Sequence, residues 1–146
     1  MSQYAENRKA YFNYEILEKY EAGIELLGME VKGVRTGKMS LEGAFVIVRG
    51  GEVYLINANL PPYQPNNSEK DYDPLRNKKL LLTKKEINVL VETEKNKSLT
   101  IVPISVYNKG RKIKVEIALV KGKKKHDKRE TIKKRETERD LRRQYK

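Results

Sequence analysis

The sequence predicts a mainly β fold: a small closed or nearly closed barrel of about six strands, with two or three short flanking helices and a basic C-terminal tail. Three observations predict it. Over residues 1–120, β-rich runs dominate and long strand–helix–strand alternation is absent. Glycine turn signals join two pairs of those runs. Near residue 120 the composition changes from mixed to strongly basic and poor in apolar side chains.

The elements follow in order. Residues 14–27 carry two patterns. Tyr14, Ile16, Tyr20, Ala22, Ile24 and Leu26 alternate with polar residues as a half-buried strand would, while Ile16, Leu17, Tyr20, Ile24 and Leu27 lie near helical spacing. Gly23 inside the run favours the strand. Residues 29–36 read as a short helix with Val31 and Val34 on one side, stopped by Gly37. Ala44–Arg49 and Glu52–Asn57 are strands joined by Gly50-Gly51, a two-residue hairpin signal. Residues 61–78, with Pro61, Pro62, Pro65 and Pro74, read as a long polar loop of the kind that carries function. Thr83-Lys-Lys-Glu86 is a capping box, in which hydroxyl and carboxylate each satisfy a free backbone N–H. It opens a helix over 84–96 with Ile87, Leu90 and Val91 inward. Leu99–Tyr107 and Lys112–Val120 are strands around a turn at Asn108–Arg111, the second with Ile113, Val115, Ile117 and Leu119 on one face. Closure removes exposed strand edges, and a five- or six-stranded barrel of the OB type fits this length. Such barrels commonly bind oligonucleotides.

The chain has 146 residues, 32 Lys and Arg against 20 Asp and Glu, and a net charge of +12. Charged residues make up 36%, against about 25% in ordinary domains. The excess is uneven: 121–146 carry +8 and 1–120 only +4. Ile132, Leu141 and Tyr145 are the sizeable apolar groups of the last 26 residues, too few to offset the entropy of ordering them. The expected organisation is a barrel over 1–120 and a tail over 121–146 that is disordered when free. Glu130–Lys134 and Glu138–Arg142 are acid-first i,i+4 pairs, so the tail reads either as a helix formed on a polyanionic surface or as a solvated basic segment.

Composition excludes several classes. The absence of Cys removes disulfides, zinc ribbons, thiol nucleophiles and iron–sulfur clusters, and a single His removes a zinc triad of imidazoles. Apolar runs are too short for a membrane span, and the N-terminus lacks a signal-peptide core, so the expected location is the cytoplasm. No Gly-rich phosphate loop or nucleophile elbow is present, which argues against an enzyme and against a bound cofactor. Nucleic acid is the better partner: Lys78-Lys79, Lys84-Lys85, Lys109, Arg111-Lys112 and Lys114 offer phosphate-sized charge, and Tyr63 and Tyr72 in the long loop are candidates for stacking on bases. Without a large apolar helix face, a membrane surface ranks below RNA.

An ordered set of motifs adds to this reading. It comprises Asn7-Arg-Lys-Ala10, Tyr14-Glu-Ile-Leu-Glu18, Tyr20-Glu-Ala-Gly23, Gly28-Met-Glu-Val-Lys32 and Arg35-Thr-Gly-Lys38. It continues with Asp73-Pro-Leu-Arg76, Lys78-Lys-Leu-Leu-Leu82, Lys109-Gly-Arg111, Lys114-Val-Glu-Ile117, Lys121-Gly-Lys-Lys124 and Asp127-Lys-Arg-Glu130. In order and spacing the chain resembles the SsrA-binding protein family, also called small protein B, over about Asn7 to Glu136. The resemblance implies an RNA-binding adaptor, not an enzyme. It would bind the tRNA-like domain of transfer-messenger RNA and deliver it to stalled ribosomes for trans-translation, in indirect company with elongation factor Tu.

The resemblance also implies residues. Glu21, Leu81 and Lys114 match RNA-facing positions, and Asn7, Arg111 and Lys112 join them as expected RNA contacts. In the tail, Gly122 matches a pivot and His126 a position proposed to stack on a decoding-centre base. Asp127, Lys128 and Arg129 match adjoining contacts to small-subunit ribosomal RNA, alongside Lys123 and Lys124, with the tail helical in the empty mRNA channel. The alternative is another OB-type translation factor or ribosomal protein with general RNA affinity.

Overall fold

A computed structural model describes residues 3–62 and 72–122. Tyr63 and the tail positions Lys123, Lys124, His126, Asp127, Lys128 and Arg129 lie outside the described residues. The elements are β1 (Gln3–Glu6), α1 (Arg8–Asn13), β2 (Tyr14–Ile24), α2 (Gly28–Arg35), β3 (Phe45–Arg49), β4 (Glu52–Ile56), β5 (Lys78–Leu81), α3 (Lys84–Glu94), β6 (Leu99–Lys109) and β7 (Lys112–Gly122).

The strands pair antiparallel in the order β1-β6-β3-β4-β5-β2-β7, and β7 pairs back onto β6. Six strands therefore close into a ring, and β1 is added outside it. On β6, β3 pairs only at Ile101, and β1 takes Ser105–Tyr107 on the same strand. The expectation of a mainly β, barrel-like fold holds, with seven described strands and three helices. Both hairpins form. Gly50 and Gly51 have φ of +57° and +76°, the left-handed values a two-residue turn between twisted strands requires. The expected capping box is present as well: Thr83 Oγ accepts from Glu86 N–H at 3.2 Å, and Glu86 Oε1 accepts from Thr83 N–H at 3.1 Å.

The main core fills the ring with Ala22, Val53, Leu55, Leu80, Val106, Val115 and Ile117, closed by Val34 of α2 and Leu90 of α3. A second cluster lies on the other face of β6 and β7. There Ala10 of α1 packs with Val102, Ile104, Ala118 and Val120. This is why Ile117–Val120 is buried residue after residue and the sequence alternation fails there. The pairing of β6 with β7 shifts register between Pro103 and Ser105. Such an irregularity frees backbone groups, and Asn7 takes two of them: its N–H donates to Ile104 O at 2.8 Å and its Nδ2 to Pro103 O at 3.0 Å.

Four expectations are corrected. The loop expected over 61–78 ends earlier, because Lys78 begins β5 and is fully buried. The Lys78 ammonium donates to Arg76 O at 2.9 Å and to Ala58 O at 3.3 Å, and burial pulls its pKa down, so it is no phosphate contact. Tyr72 is tied down rather than free to stack: its hydroxyl lies 2.9 Å from Leu60 O and 3.1 Å from Glu30 Oε2. On α2 the inward face is Glu30, Gly33 and Val34, and Val31 is only half-buried. A Cβ on Gly33 would stand 3.1 Å from Leu60 Cδ1, so the helix sits close against that side chain.

Candidate nucleic-acid interface

Directly opposed residues of antiparallel strands point to the same face. Gly23 on β2 opposes Leu81 on β5 and Lys114 on β7, and Lys114 opposes Tyr107 on β6. Leu81, Gly23, Lys114 and Tyr107 thus form one row across four strands, on the face away from Ala22, Leu80 and Val115 of the core. Glu21 lies on the same face of β2, two residues from Gly23.

The missing side chain at Gly23 opens an indentation in the middle of the row. A groove of about 380 Å³ lies there, lined by Leu81, Gly23, Lys114, Lys112, Arg111 and Arg35, with Ile24, Leu26, Val31 and Ile113 as apolar wall. Leu81 is 47% exposed although it is a large apolar residue. Among the described residues, no hydrogen bond or ion pair engages the side chains of Arg111, Lys112 or Lys114. Apolar floor and cationic rim together suit an unstacked base or ribose with its phosphate.

Neighbouring charges are committed differently. Glu21 accepts from the Tyr107 hydroxyl at 2.5 Å and from Lys109 Nζ at 3.0 Å. These two bonds hold its carboxyl below the ordinary range, against a small opposing effect of desolvation, and Lys114 adds attraction. Burial, then the bond to Glu21, pushes the Tyr107 hydroxyl up. Lys79 pairs with Glu52 at 3.0 Å. Among the described residues, Arg111, Lys112 and Lys114 at the groove carry no such commitment.

A second network frames the groove from behind. Glu30, 1% exposed, accepts from Arg76 Nη2 at 2.5 Å and Leu27 N–H at 2.7 Å. Burial alone would raise its pKa. The bonds from Arg76, Leu27 and Tyr72 together outweigh burial and lower it. Arg76 also reaches Glu25 O at 3.4 Å. At the other end of α2, Arg35 Nη2 donates to Arg111 O at 3.1 Å. The helix carrying Val31 and Arg35 is thereby fastened to the segment that leads into β5 and to the β6–β7 turn.

Of the residues singled out in the sequence, Leu81, Lys114, Lys112 and Arg111 line this one groove, and Glu21 stands beside it. Asn7 is not among its lining residues, and its side-chain amide is committed to β6. Gly122 opposes Tyr14 at the far end of β7. Tyr107, Gly23 and Arg35 were not singled out as site residues. The signal for Tyr107 was its distance from the Asn108–Arg111 turn, which fixes it opposite Lys114. No group of three or more His, Asp or Glu able to hold a metal is found among the described residues. No helix among them is long and apolar enough to cross a membrane.

Comparisons with known proteins agree with one another. The family profile described as SmpB protein matches residues 4–146. An SsrA-binding protein of Mesoplasma florum is 54% identical over 96% of this chain and 94% of its own length. One from Gloeothece citriformis is 50% identical over 97% of this chain and 91% of its own. A solved structure described as "tmRNA-SmpB: a journey to the center of the bacterial ribosome" superposes with a TM-score of 0.68 at 43% identity, covering 87% of this chain and 92% of that one.

Proposed function

From the premise that the chain belongs to the SmpB family, we propose that it binds the tRNA-like domain of transfer-messenger RNA and delivers it to stalled ribosomes for trans-translation. The observation that carries this reading is the groove where Leu81, Lys114, Lys112 and Arg111 converge on one face of the ring, with Glu21 beside it. Leu81 supplies apolar contact to a base or ribose, and the cations hold phosphate. Glu21 accepts from a donor on the RNA. The work is recognition, not catalysis, and it takes place in the cytoplasm.

The finer part of the proposal concerns residues 121–146. Gly122 gives the chain a permissive backbone where β7 ends. Beyond it, Lys123, Lys124, His126, Asp127, Lys128 and Arg129 contact small-subunit ribosomal RNA at the decoding centre, and the tail occupies the empty mRNA channel. Elongation factor Tu accompanies the complex through the RNA, not through the barrel.

A titration of labelled transfer-messenger RNA with excess tRNA competitor, at several salt concentrations, tests the reading. Preference for transfer-messenger RNA over tRNA is expected. Equal competition by tRNA would replace the proposal with general RNA affinity.

A further inference from the structure

An anion on a cationic RNA-binding face weakens generic attraction to phosphate. What a carboxylate can favour is a hydrogen-bond donor: a ribose 2′-hydroxyl or an exocyclic amino group. That benefit depends on holding the carboxylate in one orientation before the RNA arrives, because an ordered acceptor costs less to engage than a mobile one. Glu21 is held from two sides. The Tyr107 hydroxyl donates to Oε2 at 2.5 Å, and Lys109 Nζ donates to Oε1 at 3.0 Å. The two holders differ in rigidity. Lys109 ends a flexible stem and is 61% exposed at the side chain. Tyr107 is a half-buried ring inside β6, locked opposite Lys114 by the strand pairing.

We propose that Tyr107 is a positioning residue of the RNA-binding face, fixing the Glu21 carboxylate so that its remaining lone pairs meet a ribose hydroxyl or base amino donor. The inference rests on Glu21 facing RNA, as the proposed function has it. Tyr107 acts through Glu21 and need not touch the RNA. The charged groups acting on the carboxylate are Lys109 on β6 and Lys114 on β7, while Glu116, which opposes Glu21 directly, pairs with Lys19 at 3.6 Å.

The test uses the full chain with Tyr107→Phe, Glu21→Gln and the double variant, titrated with the tRNA-like domain of transfer-messenger RNA at fixed salt. Tyr107→Phe removes one hydroxyl and keeps the ring. It should lower affinity about three- to tenfold, the range of an ordinary net hydrogen-bond contribution. The double variant should bind no worse than Glu21→Gln alone. In the RNA-free protein, carboxyl carbon NMR should show the Glu21 pKa rising in Tyr107→Phe, a readout that a merely structural tyrosine would not move. Unchanged affinity in Tyr107→Phe beside weakened Glu21→Gln overturns the positioning role. Additive losses with an unmoved Glu21 pKa overturn it too. Parent-like affinity of Glu21→Gln brings down the reading of Glu21 itself, and the positioning role with it.

Discussion

Gly23 on β2 faces Leu81 on β5 so closely that a Cβ added to Gly23 would stand 3.2 Å from the Leu81 Cβ. The row on the outer sheet face has its opening there because one residue has no side chain. Gly23→Ala should move Leu81 by a few tenths of an ångström. Its stability should change by less than about 1 kcal/mol, because the gain from a less flexible unfolded chain offsets the crowding. Gly23→Val should fill the groove and lower RNA affinity by about tenfold with the fold intact. Thermal melting and an RNA titration read the two effects separately. Parent-like binding by Gly23→Val would remove the groove from the interface.

Lys114 has no ion-pair partner among the described residues, so its charge is available to phosphate. Lys114→Ala should weaken RNA binding and reduce the salt slope by about one. Lys109→Ala removes a lysine already paired with Glu21 and should change the slope less. Titrations over a salt series decide the order, and equal slopes for the parent and Lys114→Ala would exclude Lys114 from phosphate contact.

Glu30 is buried against Arg76, so removing the acid leaves a guanidinium and the Leu27 N–H without their acceptor. Glu30→Ala should cost about 3 kcal/mol in a denaturant titration. The pH dependence has a definite sign. The folded-state pKa of Glu30 lies below its ordinary 4.5, so its contribution is present above that value and is lost as pH falls through the lowered one. Glu30→Gln should flatten the acid limb of the stability profile. A limb of unchanged steepness would mean that other carboxylates cause it.

Asn7 should behave as a structural residue. Asn7→Ala leaves Pro103 O without its donor and should lower stability by about 1–3 kcal/mol. The RNA affinity and salt slope of the folded variant should match the parent. A loss of affinity at unchanged stability would return Asn7 to the RNA contacts.

Deleting residues 123–146 should leave most of the affinity for transfer-messenger RNA and abolish peptide tagging on stalled ribosomes. A reconstituted translation assay with a truncated message checks this. Full tagging by the shortened chain would refute the tail mechanism.

The long strands, both glycine hairpins and the α3 capping box were legible, since each rests on local chemistry: alternation, left-handed glycines and a Thr–Glu pair three residues apart. β1 and α1 were not. They are short and polar, and they form because β6 offers β1 an edge and because Ala10 covers Ala118 and Val120. β5 was hidden by Lys78, since a lysine reads as surface charge and nothing local announces that two carbonyls wait for it inside. Nothing local marked Glu30 as inward either, its partner Arg76 lying 46 residues along the chain. At the site, charge pointed to Arg111, Lys112 and Lys114, whereas Leu81 and Glu21 came only with the family resemblance. Neither an exposed leucine nor one carboxylate among 20 acids stands out until strand register brings them together.

β7 is hydrogen-bonded along nearly its whole length to β2 on one side and β6 on the other. Lys114 lies near its first residue and Gly122 is its last, eight residues on, which at strand rise is about 27 Å. The strand is therefore a gauge. Whatever is gripped at the groove and whatever the chain reaches after Gly122 are set at a fixed spacing by a bar that neither stretches nor bends independently of the barrel. One residue inserted between them would also turn every later side chain to the opposite face, so the distance and the facing of the two ends are specified by the same count of residues.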